Sequence, residues 1–244
     1  MQHSSEIEWE ALNPARGDQS PKAGTIWGDR KGSVATGFLA KFVDGFSSPP
    51  HIHNVTYRAV VLEGLVHNDD PEAEKMWMPK GSFWTQPAGE AHITAAKGSE
   101  CIAYVEIDSG PYLVKPTAEA FDNGERPVNI DISNMVWLGE DQTAWVEGLG
   151  AKVAFLWEAN KRSGYLLKLA PGLKFRLESE GEEFRAISIV GQLDYEMPLT
   201  NEVKSLDPGS YFHSTGTSSH LFTTKEMCLL YLRTNGDFKI SSEK

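Results

Sequence analysis

Cysteine is scarce in this chain: Cys101 and Cys228 are the only two in 244 residues. Two cysteines cannot build a disulfide scaffold, and without C-x-x-C spacing both read as small buried residues of strands. Long apolar runs are missing as well. No stretch approaches the roughly 18 residues that a membrane-spanning helix needs, and the opening MQHSSEIEWE contains no signal-peptide core. The expectation is a soluble protein with no membrane partner, cytoplasmic by default and periplasmic or secreted if an export signal has been removed. Positive charge is in deficit, with 23 Lys and Arg against 34 Asp and Glu, a formal net charge of −11 and no basic block. That excludes a phosphate-tracking surface, and with it nucleic acid as a partner. No segment sustains the i, i+3, i+4, i+7 apolar stripe of a helix, whereas 22 Gly and 13 Pro punctuate many short β-branched and aromatic runs. What remains is an all-β chain, with short acidic helical turns expected only around DDPEAEKM (residues 69–76).

The chain also repeats itself. FLAKFVDG (38–45) matches YLLKLAPG (165–172), RAVVLEG (58–64) matches RAISIVG (185–191), and CIAYVEI (101–107) matches CLLYLRT (228–234). KGSFWTQPAGEAHITA (80–95) is echoed by PGSYFHSTGTSSHLFT (208–223). Such self-similarity marks a duplication into two units of about 120 residues, each long enough for its own core. The expected domains are 1–120 and 121–244, with the turn-rich KPTAEAFDNGERP (115–127) as linker.

The chemistry concentrates in PPHIHNVTYRAVVLEG (49–64). Side chains alternate along a strand, so His51, His53 and Tyr57 share one face while Ile52, Asn54 and Thr56 share the other. Two imidazoles about 7 Å apart on one strand face can converge on one ion. A third, His92, returns after the Pro87-Ala88-Gly89 turn.

These residues resemble the two motifs of the cupin superfamily, G-x5-H-x-H-x3,4-E-x6-G and G-x5-P-x-G-x2-H-x3-N. Gly45, His51, His53 and Gly64 match the first, and Gly81, Pro87, Gly89 and His92 match the second, with every spacing intact. Tyr57 stands where the motif has glutamate, and Ala96 where it has asparagine. A closer resemblance is to a bacterial two-cupin family, a domain of unknown function, whose first unit carries PPHIHNVTYR and MWMPKGSFWTQPAGEAHITAA. The chain is more distantly similar to three-histidine metal cupins such as acetylacetone-cleaving dioxygenases and the cupin module of anti-sigma factors. The resemblance implies two tandem double-stranded β-helix (jelly-roll) domains, of which the second has lost the histidine pair. Aligned on Gly172 and Gly191, that pair becomes Glu178 and Glu180, Tyr57 becomes Phe184, and only His220 survives opposite His92. The ESEGEE run reads as a solvated acidic turn.

The resemblance thus implies one divalent transition metal on His51, His53 and His92. Three neutral imidazoles suit Fe, Zn, Ni or Cu better than Mg or Ca. Tyr57 is a candidate catalytic group, weak ligand or core residue. Gln86 and Glu90 flank the turn that delivers His92, and Trp77, Met78, Phe83, Trp84 and Tyr104 are candidate pocket walls. The expected function is a metalloenzyme acting on a small oxygen-chelating substrate, by dioxygenase-type cleavage or zinc-type lyase, isomerase or hydrolase chemistry. A non-catalytic metal or metabolite sensor is the alternative. A storage-type structural cupin fits an intact histidine set less well. Homodimer pairing is an expectation from the superfamily habit.

Overall fold

The computed structural model describes residues 1–243, and the chain divides into two compact units: Ile7–Asn134, and Met135 onward together with Met1–Glu6. Both are all-β as expected, and the described residues include no helix long and apolar enough to cross a membrane.

In the first unit a seven-stranded sheet runs in the order Trp9–Ala11, Lys22–Trp27, Thr36–Phe42, Ile93–Ile107, Tyr57–Asp69, Phe83–Gln86, Val128–Ile130. Every neighbouring pair is antiparallel. The two longest strands, Tyr57–Asp69 and Ile93–Ile107, pair with register shifts around Leu62 and Gly64. Gly64 holds φ +77°, and a Cβ there would lie 2.6 Å from the Glu100 carbonyl oxygen, so only glycine passes. Beyond this bend the same strands meet other partners, with bridges from Ser47 to Ala95 and from Val66 to Met78. The core that results is rich in alanine (Ala23, Ala40, Ala59, Ala96, Ala103) around Phe38, Tyr57, Trp84 and Val105.

The second unit packs a six-stranded sheet (Val146–Glu147, Phe238–Glu243, Lys174–Ser179, Ser218–Thr224, Leu193–Glu196, Val203–Leu206) with a five-stranded one (Ala151–Ala159, Arg162–Leu169, Cys228–Thr234, Phe184–Val190, Tyr211–Ser214). The duplication holds at the level of register: Phe38 pairs with Val105 as Tyr165 pairs with Leu232. The interior differs. Leu167, Leu177, Leu230, Phe175, Phe184, Phe212 and Phe222 fill this core with large side chains.

Two expectations need correction. The segment 115–127 is not a free linker. Val114–Lys115 pairs with Ile52–His53, the Phe121 N–H donates to the Gly89 carbonyl at 3.1 Å, and Asn123 and Glu125 both bond Thr56. Val128–Ile130 then adds to the sheet edge at Phe83–Thr85, so the unit closes after Asn134 rather than at 120. At the other end, Gln2 pairs with Tyr211 and the Ser4 N–H donates to Ser210 Oγ at 3.1 Å, which places the first six residues with the second unit. The DDPEAEKM segment forms no helix. Asp70 caps a turn by accepting the Glu72 N–H at 2.8 Å, an Asx motif that competes with helix formation.

Candidate metal centre

The first motif begins as an extended segment because Pro49 and Pro50 exclude helix. Ile52 turns into the opposite layer, fully buried, while His51 and His53 turn inward at 8% and 3% exposure. The turn Pro87–Gly89 brings His92, fully buried, beside them. Reciprocal backbone hydrogen bonds of 3.0 Å join His51 and His92, and their ring centroids are 4.3 Å apart. The ligand atoms of His51, His53 and His92 all lie within 4.8 Å of one another, the only such group of three among the described residues.

Each ring has its Nδ1 committed. His51 Nδ1 donates to the Pro49 carbonyl at 2.9 Å, His53 Nδ1 to the Leu113 carbonyl at 3.1 Å, and His92 Nδ1 to the Glu90 carbonyl at 3.1 Å. A carbonyl can only accept, so the proton sits on Nδ1 in all three rings and Nε2 carries the lone pair. Burial holds all three pKa values below 6.5: His51 is lowered, His53 lies well below with the neighbouring imidazoles adding to burial, and His92 falls to about 3. The rings are neutral at physiological pH, as metal ligation requires.

Two phenols complete the centre. Tyr57, in the motif glutamate's place, has its hydroxyl 3.4 Å from His92 Nε2. The direction of its proton follows from a chain of amides that starts at the Glu90 carbonyl. Gln86 Nε2 donates to that carbonyl at 3.3 Å, so Gln86 Oε1 accepts from Asn68 Nδ2 at 2.9 Å. Asn68 Oδ1 then accepts from both the Tyr57 hydroxyl, at 2.8 Å, and Thr94 Oγ1, at 2.7 Å. The Tyr57 proton therefore points away from His92, and two lone pairs face each other across 3.4 Å in a buried site. A cation relieves that opposition, and an apolar filling would not; the donor set fits a transition metal. Burial raises the Tyr57 pKa to about 12, so the phenol stays protonated. Tyr112 stacks on His53 at 4.3 Å and 17°, with its hydroxyl 3.2 Å from His53 Nε2. Burial raises its pKa well above 10, with Tyr57 adding to the shift.

The remaining expected residues scatter. Gln86 belongs to the amide chain behind Tyr57. Trp84 and Met78 are buried in the same core, Trp84 edge-on to Tyr57 at 6.5 Å. Phe83 is fully buried, on the opposite strand face from Trp84, and Tyr104 bonds Glu106 at 2.9 Å and the Trp27 indole at 3.2 Å, also outside this core. Trp77 lies against His67 at 6.1 Å and under the Lys97 ammonium at 4.1 Å. The Glu90 side chain lines a cleft of about 390 Å³ with Phe121 and Arg126, while its carbonyl serves the centre. Tyr112, Asn68 and Thr94 were not singled out by the sequence motifs.

In the second unit the alignment of Glu178 and Glu180 with the histidine pair is corrected by register. Leu177 pairs with His220 as His51 pairs with His92, so Leu177 and Ser179 are the inward counterparts, and both glutamates are exposed. His220 is satisfied by Tyr195 at 2.8 Å and Ser214 at 3.0 Å.

The family model described as a domain of unknown function, DUF4437, matches residues 1–241. No curated protein matches the sequence. Among solved structures, one similar chain is a "putative dioxygenase" of Nostoc punctiforme PCC 73102, with 15% identity, TM-score 0.70, and coverage of 95% of this chain and 78% of that one. The oxalate decarboxylase of Lactobacillus farciminis, in a formate complex, is 11% identical with TM-score 0.66, over 99% of this chain and 87% of that one. The oxalate decarboxylase of Bacillus subtilis, in a study of its Mn(II) centers, is 11% identical with TM-score 0.58, over 97% and 77%. At such identities the likeness establishes the fold, two tandem cupin domains.

Proposed function

The chain belongs to the DUF4437 family, and we propose that it is a metal-dependent enzyme whose first unit takes a small substrate that chelates through two oxygens. The observation that carries this reading is the set of three neutral imidazoles with every Nδ1 spent on a backbone carbonyl and every Nε2 left for one ion. His51, His53 and His92 would hold the ion; Fe, Zn, Ni and Cu suit imidazole, and the Mn(II) of the Bacillus decarboxylase widens the set to be tried. The bound ion supplies Lewis acidity toward the chelated oxygens and, where it is redox-active, access to dioxygen chemistry.

The chain's own residues set what is accepted. With tyrosine in the glutamate's place the protein ligands are neutral, so a divalent centre keeps its full +2 and gains most from an anionic chelator such as a keto acid, an enolate or a dicarboxylate. Tyr57, its proton held by Asn68, presents an oxygen lone pair and is a poor acid at this position. Tyr112 presents its hydroxyl. The core packed behind Tyr57, with Trp84 and Met78, keeps water from the back of the site.

The test is elemental analysis of protein from its native host, followed by oxygen uptake and carbon dioxide release with that metal against β-diketones, keto acids, catechols and oxalate. One metal per chain and turnover abolished in His92→Ala are expected. Metal retained without turnover on any chelator would favour a non-catalytic binding module, and metal retained by a His51→Ala, His53→Ala double variant would overturn the ligand assignment.

A further inference from the structure

The two phenols of the centre differ in what they can offer, and we propose that Tyr112 selects and orients the substrate by donating its hydroxyl proton to an anionic oxygen of a chelating ligand. The proposal rests on the metal-centre reading above and adds the residue that decides which ligands that centre accepts. Tyr57 cannot play this part, because its proton is committed to Asn68. The Tyr112 ring lies stacked over His53 at 17°, so its hydroxyl, 3.2 Å from Nε2, sits above the imidazole face and outside the plane that holds the Nε2 lone pair, and its proton is not committed to that nitrogen.

An ion on His53 Nε2 would use the in-plane lone pair and leave the Tyr112 hydroxyl beside it. That hydroxyl has no well-aligned acceptor among the described residues, and a donor left unpaired at a largely enclosed site is costly. An acceptor oxygen arriving next to the ion satisfies both demands at once: the ion's charge and the orphaned hydroxyl. Tyr112 thereby acts on the anion that joins the ion and not on the binding of the ion itself.

The backbone around Tyr112 is built to hold it there. Asn54, one residue after His53 and facing away from the centre, donates from Nδ2 to the Pro111 carbonyl at 2.9 Å and accepts the Leu113 N–H on Oδ1 at 2.8 Å. Its single amide thus brackets Tyr112 on both sides. The Tyr112 N–H donates to the Arg30 carbonyl at 3.1 Å, and the ring is fixed between the stacked His53 and the edge of Phe38 at 5.3 Å. Donors held this rigidly lose little on binding, which is what makes a single hydrogen bond discriminating. Asn54 is a positioning residue for Tyr112.

Calorimetry on the full chain loaded with Zn(II) tests this, with oxalate as a chelator rich in acceptors and imidazole as a ligand that offers no acceptor once bound. In Tyr112→Phe the zinc stoichiometry and affinity should be retained, oxalate affinity should fall about ten-fold or more, and imidazole affinity should be unchanged. Asn54→Ala leaves the hydroxyl in place but frees its backbone, should weaken oxalate more than imidazole, and serves if the phenylalanine variant does not fold. Oxalate affinity unaltered in both variants would overturn the proposal while leaving the metal centre standing. Equal weakening of oxalate and imidazole would overturn it too, reducing Tyr112 to packing. Wild-type protein that binds no zinc, nor any of the other metals named above, would overturn the metal-centre reading itself.

Discussion

Metal binding at this centre should be almost silent in protons, and the count can be worked out from the burial of the three rings. An imidazole with the ordinary pKa of 6.5 is about three-quarters protonated at pH 6, so three such ligands would release roughly 2.3 protons on taking up a metal. Here His92 has fallen to about 3 and His53 lies well below 6.5, so neither has a proton to lose at pH 6. His51, lowered but on the more open side of the cluster, can release at most about three-quarters of one. The phenols add nothing: Tyr57 is raised to about 12 and Tyr112 well above 10. The expected release is therefore below about 0.8 proton. Titration of Zn(II) into metal-free protein at pH 6, in buffers of different ionisation enthalpy, gives the number directly. That pH lies below the range near 7 where a zinc-held water itself ionises. Two or more protons would refute the reasoning, by showing that the imidazoles are solvated and unperturbed. One full proton would show instead that a phenol ionises on ligation, against the assignment of Tyr57 as a neutral oxygen.

The same burial makes the metal-free protein acid-sensitive. His92 at about 3 and His220 at about 4 have folded pKa values below the unfolded 6.5, so the unfolded chain binds the extra protons and stability present above pH 6.5 is lost as pH falls toward 4 and 3. At pH 5 the loss is about 2 kcal/mol for each ring, read by chemical denaturation in the presence of chelator at pH 8 and pH 5; equal stabilities would contradict the shifts. Gly64→Ala forces a side chain into left-handed backbone against the Glu100 carbonyl, and should cost about 2 kcal/mol or more, lowering the melting temperature by several degrees. Glu178→Gln with Glu180→Gln should change neither metal stoichiometry nor melting by a measurable amount, since both side chains are exposed; a lost metal equivalent would place a ligand site in the second unit after all.

What the sequence disclosed about the centre follows how far each residue's role depends on its neighbours in the chain. His51, His53 and Tyr57 share a face by simple alternation, and His92 is delivered by a turn written in Pro87 and Gly89 a few residues away. Tyr112 reaches the centre because Val114–Lys115 pairs with Ile52–His53 across some sixty residues, and no local signal marks that pairing. Asn68 and Thr94 meet as cross-strand partners of the two long bent strands, again through register rather than motif. Alternation also has two parities, and only the register chooses between them. Phe83 and Tyr104 are aromatic residues of the right strands on the wrong face, while Trp84 one residue along faces the centre's own core.

The second unit shows how much can turn on that parity. Gly172 and Gly191 are displaced from Gly45 and Gly64 by the same number of residues, so a glycine-anchored alignment sets Glu178 and Glu180 on the histidine pair. The hydrogen bonds say otherwise, because Leu177 and not Glu178 pairs with His220. Between Gly172 and Leu177 the second unit has one residue fewer than the first has between Gly45 and His51, and between Leu177 and Phe184 one more than between His51 and Tyr57, so the glycines and the aromatic stay aligned while the stretch around Leu177 slips by one. A slip of one residue exchanges the faces of a strand. It turns the two carboxylates out to solvent and sends Leu177 into a core already packed with phenylalanine and leucine. The second unit therefore did not trade a nitrogen site for an oxygen site. It traded the ligand positions for hydrophobic packing, and the remaining histidine, held on both nitrogens by Tyr195 and Ser214, has become a buried polar member of that core. The alanine-rich interior of the first unit, which leaves the centre to imidazole and phenol rings, and the filled interior of the second are two outcomes of one duplicated strand pattern.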